Sequence, residues 1–182
     1  YTMLLTDKSQ IRSICAYKHD EEKIYQLSKT QLMSCVGDQS SCTAFAQYIM
    51  KNFALYKLRM DLEMSNHAAA HYIRGEIASA LRSRGAYQAS VILGGVDEKG
   101  PALYHMDYLG CMQQVPFTAH GYCSYFALAI FDRHWKKNMT IEEGKEIMKM
   151  CVEQLKLRFL VNLPKFSLKV VTKDGLVLEE EI

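Results

Sequence analysis

The stretch SVILGGVDEKGPALYHMDY, residues 90–108, decides the fold class. Ser90–Val96 is an apolar, β-branched run, and Ala102–Tyr108 is a second strand-forming run. Between them stand Asp97-Glu98-Lys99-Gly100-Pro101, where glycine supplies a positive φ and proline is expected to stop pairing. Strands joined this closely lie antiparallel, because a parallel pair needs a long crossover. Gly94-Gly95, inside the first run, reads as a bulge or a place where another part of the chain comes close.

Upstream, four short strand signals occupy Thr2–Thr6, Ile11–Tyr17, Lys23–Leu27 and Gln31–Val36, with tight turns between them. Gly37–Ser41 then offers a helix N-cap, and Phe45, Ile49, Phe53, Tyr56 and Met60 recur on one helical face. A second helix is expected from its cap Ser65 to Arg84, with Tyr72, Ile73, Ile77 and Leu81 along it and Gly85 ending it. Downstream come a strand at Met112–Phe117 and a helix at Tyr122–Trp135. Another helix runs from Thr140, which forms a capping box with Glu143, to about Phe159. Final strands at Phe166–Thr172 and Leu176–Glu180 flank the turn Lys173-Asp174-Gly175. Strand blocks alternating with helix pairs predict an α+β, four-layer αββα sandwich of two antiparallel sheets between helix layers.

Composition narrows the class. At 182 residues, with 49% apolar and 23% charged, the chain is expected to form a single domain over 1–182 without disulfide staples. A net charge of +2, spread evenly, does not argue for nucleic acid. No apolar run reaches the roughly 20 residues that span a bilayer, and no signal peptide opens the sequence. Cys15, Cys35, Cys42, Cys111, Cys123 and Cys151 show no C-x-x-C spacing and read as reduced core thiols of a cytosolic or nuclear protein.

Several segments together resemble one family. They are Lys23–Leu27 after Asp7, Ala46–Ile49 with Leu55–Arg59, Gly100–Asp107, Ala119-His120-Gly121, and Arg158-Phe159 with Asn162–Phe166. The pattern is similar to the beta subunits of the eukaryotic proteasome core particle, over essentially the whole chain. The resemblance implies the N-terminal nucleophile hydrolase fold and a place in a seven-membered beta ring. It also implies partners: other beta subunits, alpha-ring subunits and the opposite beta ring. Cytoplasmic and nuclear localisation and a part in ATP- and ubiquitin-dependent protein degradation go with it.

Active members of that family cut peptides with an N-terminal threonine, supported by a lysine, two aspartates and a serine. By the resemblance, Asp7 matches the first aspartate and Lys23 the lysine. Counting back from Asp7, the threonine falls about ten residues ahead of Tyr1, so the first N-terminal strand is expected to be missing from this sequence. Phe159 stands for the second aspartate, Tyr122 for the serine, and Ile11 for a threonine beside the substrate. Gly37 is retained, and Cys35 falls where active members shape a specificity pocket. A benzyl group accepts no hydrogen bond, and the bulk of Tyr122 is expected to intrude on the site. The expectation is a non-catalytic structural subunit with only the vestigial pair Asp7 and Lys23. An active threonine peptidase whose front is absent from this sequence is the alternative.

Other candidates reduce to structure. His67 and His71 lie one helical turn apart and could face one metal, but Ala68 replaces the glutamate of the zincin pattern, so they read as helix-face residues. Glu179-Glu180-Glu181 reads as a solvated end or the start of a C-terminal arm. Neither a nucleophile elbow, a Walker loop nor a dinucleotide fingerprint is present, and no metal or cofactor is expected.

Overall fold

A computed structural model of the chain describes residues 1–12 and 15–182. The hairpin predicted from residues 90–108 lies inside a five-stranded antiparallel sheet. Its strands run in the order β4 (Ile24–Ser28), β5 (Gln31–Gly37), β6 (Ala89–Asp97), β7 (Gly100–Met106) and β8 (Met112–Gln114). Gly100 takes φ 108° at the turn, as its type demands. Pro101, however, does not stop pairing: it sits in β7 opposite Val96. The Val96 N–H donates instead to the Thr30 carbonyl at 3.0 Å, so the missing proline N–H strands no partner.

Gly94 and Gly95 keep unbroken register with Leu32 and Gln31, so they form no bulge. Close approach explains them. A Cβ on Gly94 would stand 2.5 Å from Thr2 Cγ2, and one on Gly95 would overlap Asn66 Oδ1.

The second sheet has three strands, β1 (Thr2–Asp7), β9 (Phe166–Thr172) and β10 (Gly175–Glu181), with β9 in the middle. The two sheets stack through Leu4, Ile24, Leu32, Ile92, Val96 and Val171. Helices α1 (Gln39–Met60) and α2 (Asn66–Ala80) cover the outer face of the larger sheet, setting Phe45, Ile49, Ile73 and Ile77 against Met33 and Leu93. On the far side α3 (Ser124–His134) packs on α4 (Ile141–Arg158), and α4 lays Val152 and Leu155 on Phe166 of β9. The layers are therefore αββα. Strands β5 and β9, covered on both faces, are buried almost throughout, including their polar residues Gln31, Ser34, Ser167 and Lys169.

The capping box forms as expected. Thr140 Oγ1 accepts from the Glu143 N–H at 3.2 Å, and Glu143 Oε2 accepts from the Thr140 N–H at 2.7 Å. Other expectations are corrected. Ile11–Tyr17 is not one strand; β2 (Gln10–Arg12) and β3 (Cys15–Lys18) pair with each other as a hairpin, the part at 13–14 lying outside the described residues. All of β3 is exposed, so no core face draws the segment straight. Helix α2 ends at Ala80, not Arg84, because the Ser83 hydroxyl donates to the Ala80 carbonyl at 2.7 Å and closes a turn.

Cys15 and Cys111 are exposed, whereas Cys35, Cys42 and Cys151 are buried. The two exposed thiols lie on the outer hairpin and after the turn that follows β7, away from the packed faces. The acidic end is not free: Glu179 pairs with Lys169 at 2.9 Å, Glu180 with Lys145 at 3.1 Å, and Glu181 with both Lys8 and Lys165 at 2.9 Å. Pairing in β10 brings these carboxylates alongside lysines that are distant in sequence.

Candidate functional site

Asp7 closes β1 and Lys23 immediately precedes β4, so sheet stacking brings their side chains together. Lys23 Nζ donates to Asp7 Oδ2 at 2.8 Å and to the Ser9 carbonyl at 2.8 Å. The Ser9 N–H donates to the same carboxylate oxygen at 3.0 Å. The loop between them is folded back by the Glu21 N–H, which donates to the Lys8 carbonyl at 2.9 Å. The result is a partly buried ionic knot whose three polar groups satisfy one another.

This knot lies in the wall of a cleft of about 2180 Å³, which Ile11, Cys35, Gly37, Tyr122 and Phe159 also line. The structure thus brings the family-matched positions to one place, whereas His67, His71, Cys111 and the acidic end lie outside it. Gly37 is required by packing, since a Cβ there would collide with the Gln88 carbonyl. Phe159 caps the C-terminal end of α4. The Tyr122 ring lies 5.8 Å from the Phe159 ring, inclined by 35°. Tyr122 does not wedge into the site as expected: it is 73% exposed and leans over Phe159 at the rim. Gly121, at φ 71°, turns the chain outward just before it.

The cleft thiols are poor nucleophiles. Burial, then neighbouring Cys42, pushes the Cys35 thiol far up. Burial drives Cys42 up to about 11 and Cys151 up to about 12, so both stay protonated near neutrality. Cys123 is raised as well, by burial and then by Asp7.

Two polar pairs escaped the sequence reading, because their partners are separated irregularly along the chain. Ser9 Oγ lies 2.9 Å from His19 Nδ1, a hydroxyl–imidazole contact. Ser9 is only 2% exposed, so the pair ties down a loop and offers nothing to a substrate. His105 of β7 stacks on His120 at 4.2 Å between ring centres. The His120 Nε2–H donates to the Val91 carbonyl at 3.3 Å, and His105 Nδ1 lies 2.8 Å from Thr118 Oγ1. These contacts latch the loop bearing Tyr122 to the larger sheet. Among the described residues no three His, Cys, Asp or Glu side chains are placed to hold a metal ion. No described helix is long and apolar enough to cross a membrane.

The proteasome subunit family model matches residues 1–171. The chain belongs to the proteasome subunit family. Its relatives include beta-type proteasome subunits. It is 41% identical over 178 residues to proteasome subunit beta type-2 of Dictyostelium discoideum, covering 96% of this chain and 89% of that protein. It is 38% identical over 176 residues to beta type-4 of Saccharomyces cerevisiae, again covering 96% and 89%. With beta type-2-A of Arabidopsis thaliana the identity is 36% over 176 residues, covering 96% and 86%. The αββα layers are the N-terminal nucleophile hydrolase fold of proteasome subunits, and the Lys23–Asp7 knot lies in the cleft between their sheets and the α3–α4 layer.

Proposed function

We propose that this proteasome beta-type chain is a non-catalytic structural subunit of the core particle. It would complete the beta ring beside other beta subunits and meet the alpha ring and the opposite beta ring. By that route it supports ATP- and ubiquitin-dependent protein degradation in cytoplasm and nucleus. The observation that carries the reading is the aromatic pair Tyr122–Phe159 in the same cleft as Lys23 and Asp7. Two rings stand where catalysis in this family calls for a hydroxyl and a carboxylate. The Phe159 ring accepts no hydrogen bond and carries no charge to balance Lys23, Tyr122 is 73% exposed at the rim, and removing members of such a concerted set collapses its rate.

Residues 1–182 are proposed as one beta-type domain. Strand β1 hydrogen-bonds only to β9 among the described strands, and its residues border the cleft, where its other edge can receive one further strand. Exposed apolar side chains supply contact surface for neighbours: Leu58, Leu62, Tyr108, Tyr125, Leu157 and Leu160 are all more than half exposed.

The test is co-expression of the tagged full-length chain with its cellular partners, followed by sizing, mass spectrometry of co-eluting chains, and a threonine-directed electrophile. Elution in a large particle with alpha and beta subunits, without label on this chain, is the expected result. A persistent monomer would reject the assembly role. Covalent label on this chain would reject the non-catalytic role and favour an active threonine peptidase.

A further inference from the structure

We propose that His67 and His71 form a two-imidazole chelate for a late first-row divalent metal ion on the outer surface of α2. Neither the ring cleft nor the family's chemistry uses these residues. The pair sits in the first turns of a helix capped by Ser65, whose side chain accepts from the Ala68 N–H at 3.3 Å. Four-residue spacing stacks the two side chains on one face, and both lean towards the helix N-terminus. Their ring centres are 4.3 Å apart and inclined by 56°. That spacing lets both rings turn a nitrogen towards one ion at about 2.0–2.1 Å.

The surroundings favour the ion. Both histidines are exposed, so nothing need be displaced except water. Neither imidazole makes a hydrogen bond to another described residue. Arg74, one turn further along α2, is engaged elsewhere: its Nε donates to the Gly110 carbonyl at 3.0 Å. Since no third protein ligand converges among the described residues, the remaining coordination positions belong to water or to a group from outside the chain. Imidazole nitrogens without thiolate suit nickel, copper and zinc, and not magnesium or calcium. Zincin-type chemistry stays excluded, because Ala68 supplies no general base.

The experiment titrates the untagged chain with nickel chloride at pH 7.5 under reductant, read by calorimetry and by thermal melting. His67→Ala, His71→Ala and the double variant run in parallel. Alanine raises helix propensity, so these variants keep α2 folded. One equivalent is expected to bind the parent. Either single variant should lose about 100-fold or more in affinity, because the second imidazole binds intramolecularly. Saturating nickel should raise the parent's melting temperature by roughly 5–10 °C, and the double variant's not at all. Absence of saturable binding to the parent overturns the proposal. Equal binding by the double variant also overturns it, placing the ion on other histidines or thiols.

Discussion

Replacing Gly95 by alanine should destabilise the chain sharply, although its backbone is one that any residue can adopt. The added methyl would overlap Asn66 Oδ1 and stand 2.9 Å from Gln31 Cγ and 3.0 Å from the Thr30 carbonyl oxygen. Thr30 is backbone, and Gln31 and Asn66 are each 1% exposed, so none can yield outward. Asn66 Oδ1 accepts from Gln31 Nε2 at 3.0 Å, while Asn66 Nδ2 and Gln31 Oε1 already lack partners. Displacing the Asn66 side chain breaks its bond to Gln31, one of three that join β5, β6 and the start of α2, the others running from Gln31 Nε2 to the Met64 carbonyl and from the Asn66 N–H to Asp97 Oδ2. Overpacking costs about 1–3 kcal/mol. A buried acceptor left without its donor costs about 1–3 kcal/mol more. A total of about 2–6 kcal/mol lowers the melting temperature by roughly 5–20 °C for a chain of this size. Gly75→Ala is the control. It lies within α2, meets nothing within 4 Å, and should stabilise by about 0.8–1.0 kcal/mol through helix propensity. Calorimetric melting of both variants beside the parent reads the contrast. A Gly95→Ala midpoint within a degree of the parent's would refute the steric reasoning.

Three further outcomes are expected. Thr140→Ala removes the hydroxyl half of the α4 capping box and should cost about 1 kcal/mol in urea unfolding, with Thr140→Ser retaining most of it. Lys23→Met leaves the Ser9 carbonyl without its donor and Asp7 with only the Ser9 N–H, costing about 1–3 kcal/mol in the same assay. Burial, then His105, holds His120 below its ordinary value, while Asp107 opposes this. The unfolded chain therefore binds the proton more readily, so stability is complete above the ordinary histidine range and falls as pH drops through it. His105→Phe keeps a stacked ring without a second cation and should shrink that acid loss, measured as the slope of unfolding free energy between about pH 7 and 5.

Much of the fold was legible because its signals are local. Glycine and short polar turns marked the hairpins, and helical steps marked α1 from Phe45 to Phe53. The failures also have local causes. Alternation across Ile11–Tyr17 looked like one strand because periodicity carries no information on burial, and β3 buries nothing. Ser83 ended α2 early through a hydroxyl–carbonyl bond that no apolar pattern reports. Of the site, residue types were readable but relations were not. The leaning of Tyr122 over Phe159, the Ser9–His19 contact and the His105–His120 stack join residues with no periodic spacing.

The amino-acid order by itself determined the αββα layering, because turn chemistry and side-chain periodicity act over a few residues. It also determined which chemical groups exist: Phe159 and Tyr122 bring no carboxylate and no small hydroxyl to their positions. Only the tertiary structure decided that Asp7 and Lys23 meet at 2.8 Å, and that three glutamates of β10 find lysines from three other parts of the chain. Those contacts depend on how two sheets stack and twist over one another, and that relation is a property of the packed whole.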